Sequence, residues 1–244
     1  MTISSHTGMI RSVLSSIHFY KQGTFPMIIP SIPTRGRTLD YAAPVYDLLE
    51  PLCLLNKQDE YDNTLLKTLD PQPADTILDL GCGTGLLCRK ISQRLDPDKG
   101  GCVTGIDAAG KMIAAAREKR GTGHCRFEAM AAEHLGFADA SFDAVISSLF
   151  YHHVPLDLKQ QSLQEAFRVL KPGGKLVIAD MHIPTTFLGA LVSHASRWLF
   201  MQPQIGENIR GVLPGLMIEA GFLPPQTVAH YFGYITLFAT TKPL

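Results

Sequence analysis

The chain has 244 residues, of which 45% are hydrophobic and 18% are charged. This length fits one α/β domain, and a charged fraction below the usual value of about 25% excludes a disordered chain. Lys and Arg together number 22, as do Asp and Glu. A formal net charge of zero gives no long-range attraction to a phosphate backbone, so we expect no nucleic-acid partner.

The cysteines, histidines and apolar runs argue against a disulfide-rich, a metal-binding and a membrane-spanning protein. Five cysteines, an odd number without CxxC spacing, indicate reduced thiols rather than a disulfide framework. The single histidines do not combine with Cys, Asp or Glu at ligand spacing, so no metal site is expected. No apolar run reaches the roughly 18 residues of a membrane span. We expect a cytoplasmic protein without a transmembrane segment.

Residues 1–39 form an extension ahead of the domain predicted at residues 40–244. The extension has no Asp or Glu and is rich in Ser, which is typical of organelle transit peptides. Its apolar residues at positions 10, 13, 14 and 17 also fit a short amphipathic helix. The extension is therefore either an import signal or an arm that packs over the domain. Residues 25–33, which include three prolines, predict an extended connector.

From residue 74 onward, short β-rich runs alternate with helical runs, which predicts an α/β fold with a mostly parallel sheet. Strands are predicted at residues 76–80, 103–107, 125–128, 142–148 and 175–180. Helices are predicted at residues 86–95, 111–119, 157–170 and 211–220, with a turn at residues 171–174. The last two β-rich runs, at residues 227–231 and 234–240, predict an antiparallel hairpin at the sheet edge.

A glycine-rich loop follows the first predicted strand, in the stretch Asp79–Gly85 (DLGCGTG). Leu86 stands where a GxGxxG dinucleotide fingerprint needs its third glycine, which counts against NAD or FAD. The loop suits a ligand with an amino-acid end instead of a phosphate. Its glycines let backbone N–H groups approach the ligand, and the acid can engage an ammonium group.

A second acid, Asp107, closes the second predicted strand. In open α/β sheets a carboxylate at this place faces the two hydroxyls of a ribose. S-adenosylmethionine carries both an ammonium group and a ribose. The two acids and three glycines together predict a site for S-adenosylmethionine.

At these motifs the chain resembles the class I S-adenosylmethionine-dependent methyltransferases, and more narrowly the ubiquinone and menaquinone C-methyltransferases. The matching stretches are residues 78–85 (LDLGCGTG), 105–107 (GID), 141–148 (SFDAVISS), 151–154 (YHHV) and 168–174 (RVLKPGG), with the upstream residues 41–47 (YAAPVYD). The resemblance implies a Rossmann-like, doubly wound, seven-stranded sheet with S-adenosylmethionine as cofactor. The cofactor-binding positions that it implies are Asp79, Gly81, Gly83, Gly85, Asp107, Ala108, Met112, Met130, Ala131 and Ser147.

The chain departs from that family at one position. Residues 132–137 (AEHLGF) are similar to a family segment that begins with an acid, and this acid contacts the adenine amino group. In this chain Ala131 occupies the position of that acid, so the side-chain contact with the adenine amino group is missing. We expect the adenine to stack on apolar neighbours such as Met130 and to bond to backbone groups.

Two adjacent histidines, His152 and His153, follow the fourth predicted strand. Methyl transfer is an in-line displacement, and a base is needed when the acceptor carries a tightly held proton. Histidine titrates near neutral pH and suits that task. One of the pair is therefore a candidate base, and the alternative is that the pair only fixes the loop. Tyr151 either orients the acceptor or fills the loop.

Residues 182–206 form an apolar insertion after the fifth predicted strand. An insertion there can act as a lid over the acceptor. We expect Phe187 and Trp198, with Tyr46 and Tyr151, to line a pocket for a small lipophilic or aromatic acceptor. The same apolar surface could form a homodimer interface. The alternative function is a non-catalytic S-adenosylmethionine-binding or scaffold protein of the same fold.

Overall fold

A computed structural model describes residues 28–44, 46–47, 57–199 and 202–244. The amphipathic segment predicted around residues 10–17 lies outside these described residues.

Within the described ranges, seven strands form one sheet. Their bounds are β1 Thr76–Leu80, β2 Cys102–Asp107, β3 Cys125–Ala129, β4 Phe142–Ser148, β5 Leu170–Met181, β6 Gln226–Tyr231 and β7 Ile235–Thr241. The strand order is β3-β2-β1-β4-β5-β7-β6. The first five strands pair in parallel, whereas β7 pairs antiparallel with both β5 and β6. The predicted mostly parallel sheet with a C-terminal hairpin is confirmed.

Helices cover both faces of the sheet. Their bounds are α1 Gln58–Leu69, α2 Leu86–Ser92, α3 Gly110–Arg120, α4 Leu156–Val169, α5 Phe187–Leu199, α6 Pro203–Asn208 and α7 Val212–Glu219. Neighbouring residues of β1 point to opposite faces, because Ile77 packs in the cluster under α1 and α2 and Leu78 packs in the cluster under α4 and α7. Burial on both faces explains why the neighbouring residues Ile77 and Leu78 are both apolar. In the described part of the chain, no helix has the length and apolar character needed to cross a membrane.

Two element boundaries differ from the sequence prediction by more than one residue. β5 begins at Leu170 rather than at residue 175, because Leu170 already pairs with Phe142 before the register shifts. The predicted turn at residues 171–174 is therefore an irregular start of the strand, with Gly173 at a φ of +76°. α2 ends at Ser92 rather than at residue 95.

An extended segment, which we call the N-terminal strap (residues 28–41), crosses the carboxyl edge of the sheet. It contains no helix or strand, as the proline-rich sequence predicts for its first residues. The backbone N–H of Ile32 donates to the carbonyl of Ala108 at 2.8 Å, and that of Arg37 donates to the carbonyl of His153 at 3.0 Å. The strap therefore packs on the domain and joins the loops that follow β2 and β4.

The strap also caps helix α3. The N-cap residue Ala109 has no polar side chain to satisfy the first amides of that helix. The hydroxyl of Ser31 accepts from the N–H of Gly110 at 3.0 Å, and the carboxylate of Asp40 accepts from the N–H of Lys111 at 2.9 Å. A negative charge near a helix N-terminus is favourable, so these contacts stabilise both segments.

We expect the variant Gly105→Ala to be destabilised. A Cβ atom at Gly105 in β2 would lie 2.7 Å from the Sγ atom of Cys88 and 2.8 Å from that of Cys82. Overpacking of this kind lowers the free energy of unfolding by about 1 to 3 kcal/mol, which denaturant unfolding measures. The control is Gly123→Ala, where a Cβ atom meets nothing within 4 Å. Equal stability of the two variants would contradict this packing.

Candidate functional site

A cleft opens at the carboxyl edge of the sheet, beside the ends of β1, β2, β3 and β4. The strap contributes Thr34, Gly36, Arg37 and Leu39, and Tyr46 adds one ring. The strand ends on the β1 and β2 side contribute Gly81, Gly83, Ile106, Asp107, Ala108 and Met112. The loops after β3 and β4 contribute Met130, Ala132, Glu133, Leu149, Phe150, His153 and Val154. The cleft therefore lies where open α/β sheets bind ligands.

The cleft brings together many of the residues singled out from the sequence. Those that line it are Tyr46, Gly81, Gly83, Asp107, Ala108, Met112, Met130 and His153. Asp79 lines an adjoining recess with Tyr46 and Gly81. Gly85, Ala131 and Ser147 do not line the cleft. Ser147 is fully buried, and its hydroxyl donates to the carbonyl of Leu80 at 2.9 Å.

Three backbone amides of the glycine loop donate to acceptors at the end of β2. The N–H groups of Gly81 and Cys82 both donate to the carbonyl of Ile106 at 2.9 Å. The N–H of Gly83 donates to Oδ2 of Asp107 at 3.1 Å. These donors hold the loop against β2, because a buried amide without a partner is costly.

The three glycines of the loop have different tasks. Gly81 and Gly85 both have positive φ, and a Cβ atom would lie 2.5 Å from Phe150 at the first and 2.4 Å from Phe127 at the second. Those two positions serve internal packing. At Gly83 the φ is +53°, and the nearest atom to an added Cβ belongs to Tyr46 at 3.5 Å. Gly83 thus leaves a space in the cleft that a side chain would fill, as expected of a cradle for a ligand.

A buried acid, Asp79, and a partly buried acid, Asp107, lie at the ends of β1 and β2. Burial raises the pKa of Asp79 to about 7, and its carboxylate accepts from the Sγ of Cys88 at 3.2 Å. Burial also raises the pKa of Asp107, whose Oδ1 accepts from the N–H of Ala109 at 2.8 Å. Each oxygen of Asp107 holds one backbone N–H and keeps a further lone pair. Asp107 can therefore still accept hydrogen bonds from hydroxyl groups.

Tyr46 is held over Gly83 by its neighbour Asp47. The Asp47 carboxylate accepts from Oγ1 of Thr84 at 2.5 Å, from Lys119 at 2.9 Å and from Arg120 at 3.0 Å. Burial acts to raise the pKa of Asp47, but these three hydrogen bonds outweigh it and lower the pKa to about 2. The segment that carries Tyr46 is thereby fastened to the glycine loop and to α3.

His153 is the histidine that faces the cleft. Its Nδ1 lies 3.2 Å from Oε1 of Gln202. Because that amide oxygen only accepts, Nδ1 carries the hydrogen and Nε2 remains as the basic nitrogen. Burial, together with the neighbouring His152, lowers the pKa of His153 well below its usual value. His153 is therefore neutral at pH 7.

His152 does not line the cleft, and its ring is held by a buried carboxylate. Its Nδ1 lies 2.7 Å from Oδ1 of Asp180, which is fully buried at the end of β5. The Asp180 carboxylate also accepts from the N–H groups of Tyr151 at 2.6 Å and Met181 at 2.7 Å. The ring of Tyr151 is fully buried. The loop after β4 is thus fixed by one carboxylate, and Tyr151 fills its base.

The apolar insertion does not bring Phe187 and Trp198 to the cleft. They are 87% and 79% exposed on α5. Thr185 and Gly189 pack against the backbone of Gly233 in the turn between β6 and β7, which directs the start of α5 away from the carboxyl ends of β1 and β2. The insertion reaches the site instead through Gln202, whose side chain contacts His153.

Comparison with known proteins identifies the family. A profile described as a methyltransferase domain matches residues 77–174. The UbiE protein of Geotalea daltonii, a ubiquinone/menaquinone biosynthesis C-methyltransferase, is 30% identical over 173 residues, which are 68% of this chain and 71% of that protein. The chain belongs to the class I S-adenosylmethionine-dependent methyltransferases.

This methyltransferase is also similar to proteins of other named activities. An arsenite methyltransferase of Halobacterium salinarum is 38% identical over 112 residues, which are 45% of this chain and only 28% of that protein. The solved structure of phosphoethanolamine N-methyltransferase 2 from Haemonchus contortus, in complex with S-adenosyl-L-methionine, matches with a TM-score of 0.58 and 18% identity. That match covers 76% of this chain and 53% of the other, and it shows a shared fold. S-adenosylmethionine is the cofactor of this methyltransferase.

We expect Asp47→Asn to destabilise this methyltransferase, because it removes the charged acceptor of the Tyr46 segment. The free energy of unfolding should fall by about 1 to 2 kcal/mol. With a folded pKa of about 2 against 3.8, the stabilisation is complete above pH 3.8 and is lost as pH falls towards 2. Denaturant unfolding of both proteins from pH 7 downward measures this.

The control for that experiment is Asp59→Asn, which removes an exposed partner of Lys90. This variant should unfold nearly like the wild type, because exposed ion pairs contribute little. A difference between wild type and Asp47→Asn that stays constant down to pH 2 would contradict the assigned role of the Asp47 carboxylate.

Proposed function

We propose that this methyltransferase transfers the methyl group to a small lipophilic or aromatic acceptor, with His153 as the base. The observation that carries the proposal is the placement of Gly83, Asp107 and His153 in one cleft. The cofactor's ammonium and ribose need acceptors, and the acceptor's proton needs a base. The cleft, together with the adjoining recess of Asp79, offers each of these groups.

The residues of the cleft fit the cofactor by their chemistry. The free lone pairs of Asp107 would accept from the ribose hydroxyls, and Gly83 would leave room for the methionine part. An ammonium group near the recess of Asp79 would favour the charged form of that acid, whose pKa burial raises to about 7. Met112 and Met130 would offer apolar surface to the base. Bound S-adenosylmethionine supplies a methyl group on a positively charged sulfur.

Nε2 of His153 would accept the proton that an oxygen or carbon nucleophile loses during transfer. The lowered pKa keeps this nitrogen unprotonated at neutral pH. The Gln202 side chain fixes the tautomer that leaves Nε2 basic. Apolar groups of Leu39, Leu149 and Val154 line the cleft around it. They would receive the lipophilic part of the acceptor and exclude water.

The names of relatives support an aromatic acceptor over arsenite. The match to the ubiquinone/menaquinone C-methyltransferase extends over most of that protein, whereas the match to the arsenite methyltransferase covers 28% of that one. The proposal also includes a cytoplasmic location, a small-molecule rather than nucleic-acid partner, and a homodimer. Zero net charge supports the absence of a nucleic-acid partner, and the exposed apolar side chains of α5 support the homodimer.

A transfer assay with S-adenosylmethionine labelled in the methyl group tests the proposal. The acceptors are hydroquinones, phenols, thiols, amines and arsenite at equal concentration. We expect label in the hydroquinone or phenol products, because these acceptors fit an apolar cleft with a base. Label only in arsenite or amines would contradict the acceptor class. Cofactor binding without label in any product would favour the non-catalytic alternative.

For the acceptor found in this way, His153→Ala should lower kcat by about 10² to 10⁴ with little change in the Kd of S-adenosylmethionine. Because burial lowers the pKa of His153, the wild-type kcat should stay constant on acidification past pH 6.5 and fall only at lower pH. The control is His134→Ala, an exposed histidine. If His153→Ala keeps the kcat of the wild type, His153 is not the base and has a structural role.

A further inference from the structure

The cleft contains a second carboxylate besides Asp107. Among the described residues that line it, Asp107 and Glu133 are the two acids. In the strand order, β2 lies between β1 and β3. A cofactor with its methionine part at the β1 loop and its ribose at the end of β2 therefore extends its base towards the loop after β3. That loop carries Met130, Ala132 and Glu133.

The strap holds the Glu133 side chain in place. The hydroxyl of Thr34 lies 2.5 Å from Oε1 of Glu133, across 99 positions of sequence. The same hydroxyl accepts from the N–H of Gly36 at 3.0 Å. Because that N–H fills the acceptor side, the hydroxyl hydrogen is directed to Glu133. One carboxylate oxygen is thereby fixed, and within the described part of the chain the other has no hydrogen-bond donor.

The neighbouring position cannot supply such an acceptor. Ala131 has no polar side chain, is buried and does not line the cleft. The exocyclic amino group of adenine is a hydrogen-bond donor, and a carboxylate is the strongest acceptor that a side chain offers. The cleft has one such acceptor left at the β3 end.

We propose that Glu133 accepts a hydrogen bond from the amino group of the cofactor's adenine, and that Thr34 is a positioning residue for Glu133. This proposal rests on the proposed function, because it requires the cofactor to occupy this cleft. It replaces the backbone-only recognition expected from Ala131. It also gives the strap a direct share in selecting the base.

The test compares two ligands that differ in the amino group alone. Titration calorimetry measures the Kd of S-adenosylhomocysteine and of its 6-deamino purine analogue. Wild type should bind the adenosyl compound about tenfold more tightly, as expected for a hydrogen bond to a charged group. In Glu133→Ala the Kd of the deamino analogue divided by the Kd of S-adenosylhomocysteine should fall to near one. Glu133→Gln, with a neutral acceptor, should give an intermediate ratio.

Variants of Thr34 test the positioning role. Thr34→Val loses the hydroxyl and should lower the Kd ratio about threefold, whereas Thr34→Ser keeps the hydroxyl and should restore it. Asp107→Ala is the matched control within the cleft. It should weaken both ligands by about tenfold or more and leave their ratio unchanged. Glu118→Gln, at an exposed position of α3, should change neither Kd value.

If Glu133 served folding alone, Glu133→Ala would weaken the binding of both ligands equally. A ratio of the two Kd values in Glu133→Ala equal to that of the wild type therefore overturns the proposal. A wild-type ratio in Thr34→Val overturns the positioning role. If Asp107→Ala binds both ligands like the wild type, the assignment of the cleft to the cofactor fails, and the role of Glu133 fails with it. If the Glu133 variants keep the wild-type ratio while Asp107→Ala weakens the binding of both ligands, the cofactor cleft stands and the adenine contact alone is wrong.

Discussion

The carboxylate of Asp107 joins the two loops that form the floor of the cleft. One oxygen binds the N–H of Gly83 and the other binds the N–H of Ala109. These amides belong to the glycine loop and to the N-cap of α3, so the acid fixes the start of that helix relative to the end of β1. Its burial raises its own pKa, and the two backbone donors offset part of that penalty.

The sheet could be predicted from sequence because its signals are local. The strands at residues 76–80 and 142–148 have the predicted bounds, since the apolar residues at the centre of each are flanked by polar or glycine residues. The start of β5 could not be predicted in this way. Leu170 joins the sheet through its pairing with Phe142, a partner 28 positions earlier that no local pattern reveals.

The candidate site was only partly predictable for the same reason. Glycines and acids that directly follow a predicted strand can be assigned to the carboxyl edge of the sheet from the sequence alone. This reasoning correctly predicts Gly83 and Asp107 at the cleft. Glu133 lies in a segment that was recognised, but its orientation depends on Thr34, which is 99 positions away. The apolar helix α5 was expected at the acceptor. An apolar stripe shows that a surface seeks a partner and does not show which one.

The strap has a consequence for the rate of ligand exchange. It forms one wall of the cleft and is joined to the loops beside it at Ala108, Glu133 and His153. Each such hydrogen bond contributes only about 0.5 to 1.5 kcal/mol, so local opening at this edge costs far less than global unfolding. Release of the strap alone would open this wall of the cleft while the sheet stays folded. Residence time in the cleft would follow from a few contacts made by an extended segment rather than from the stability of the core.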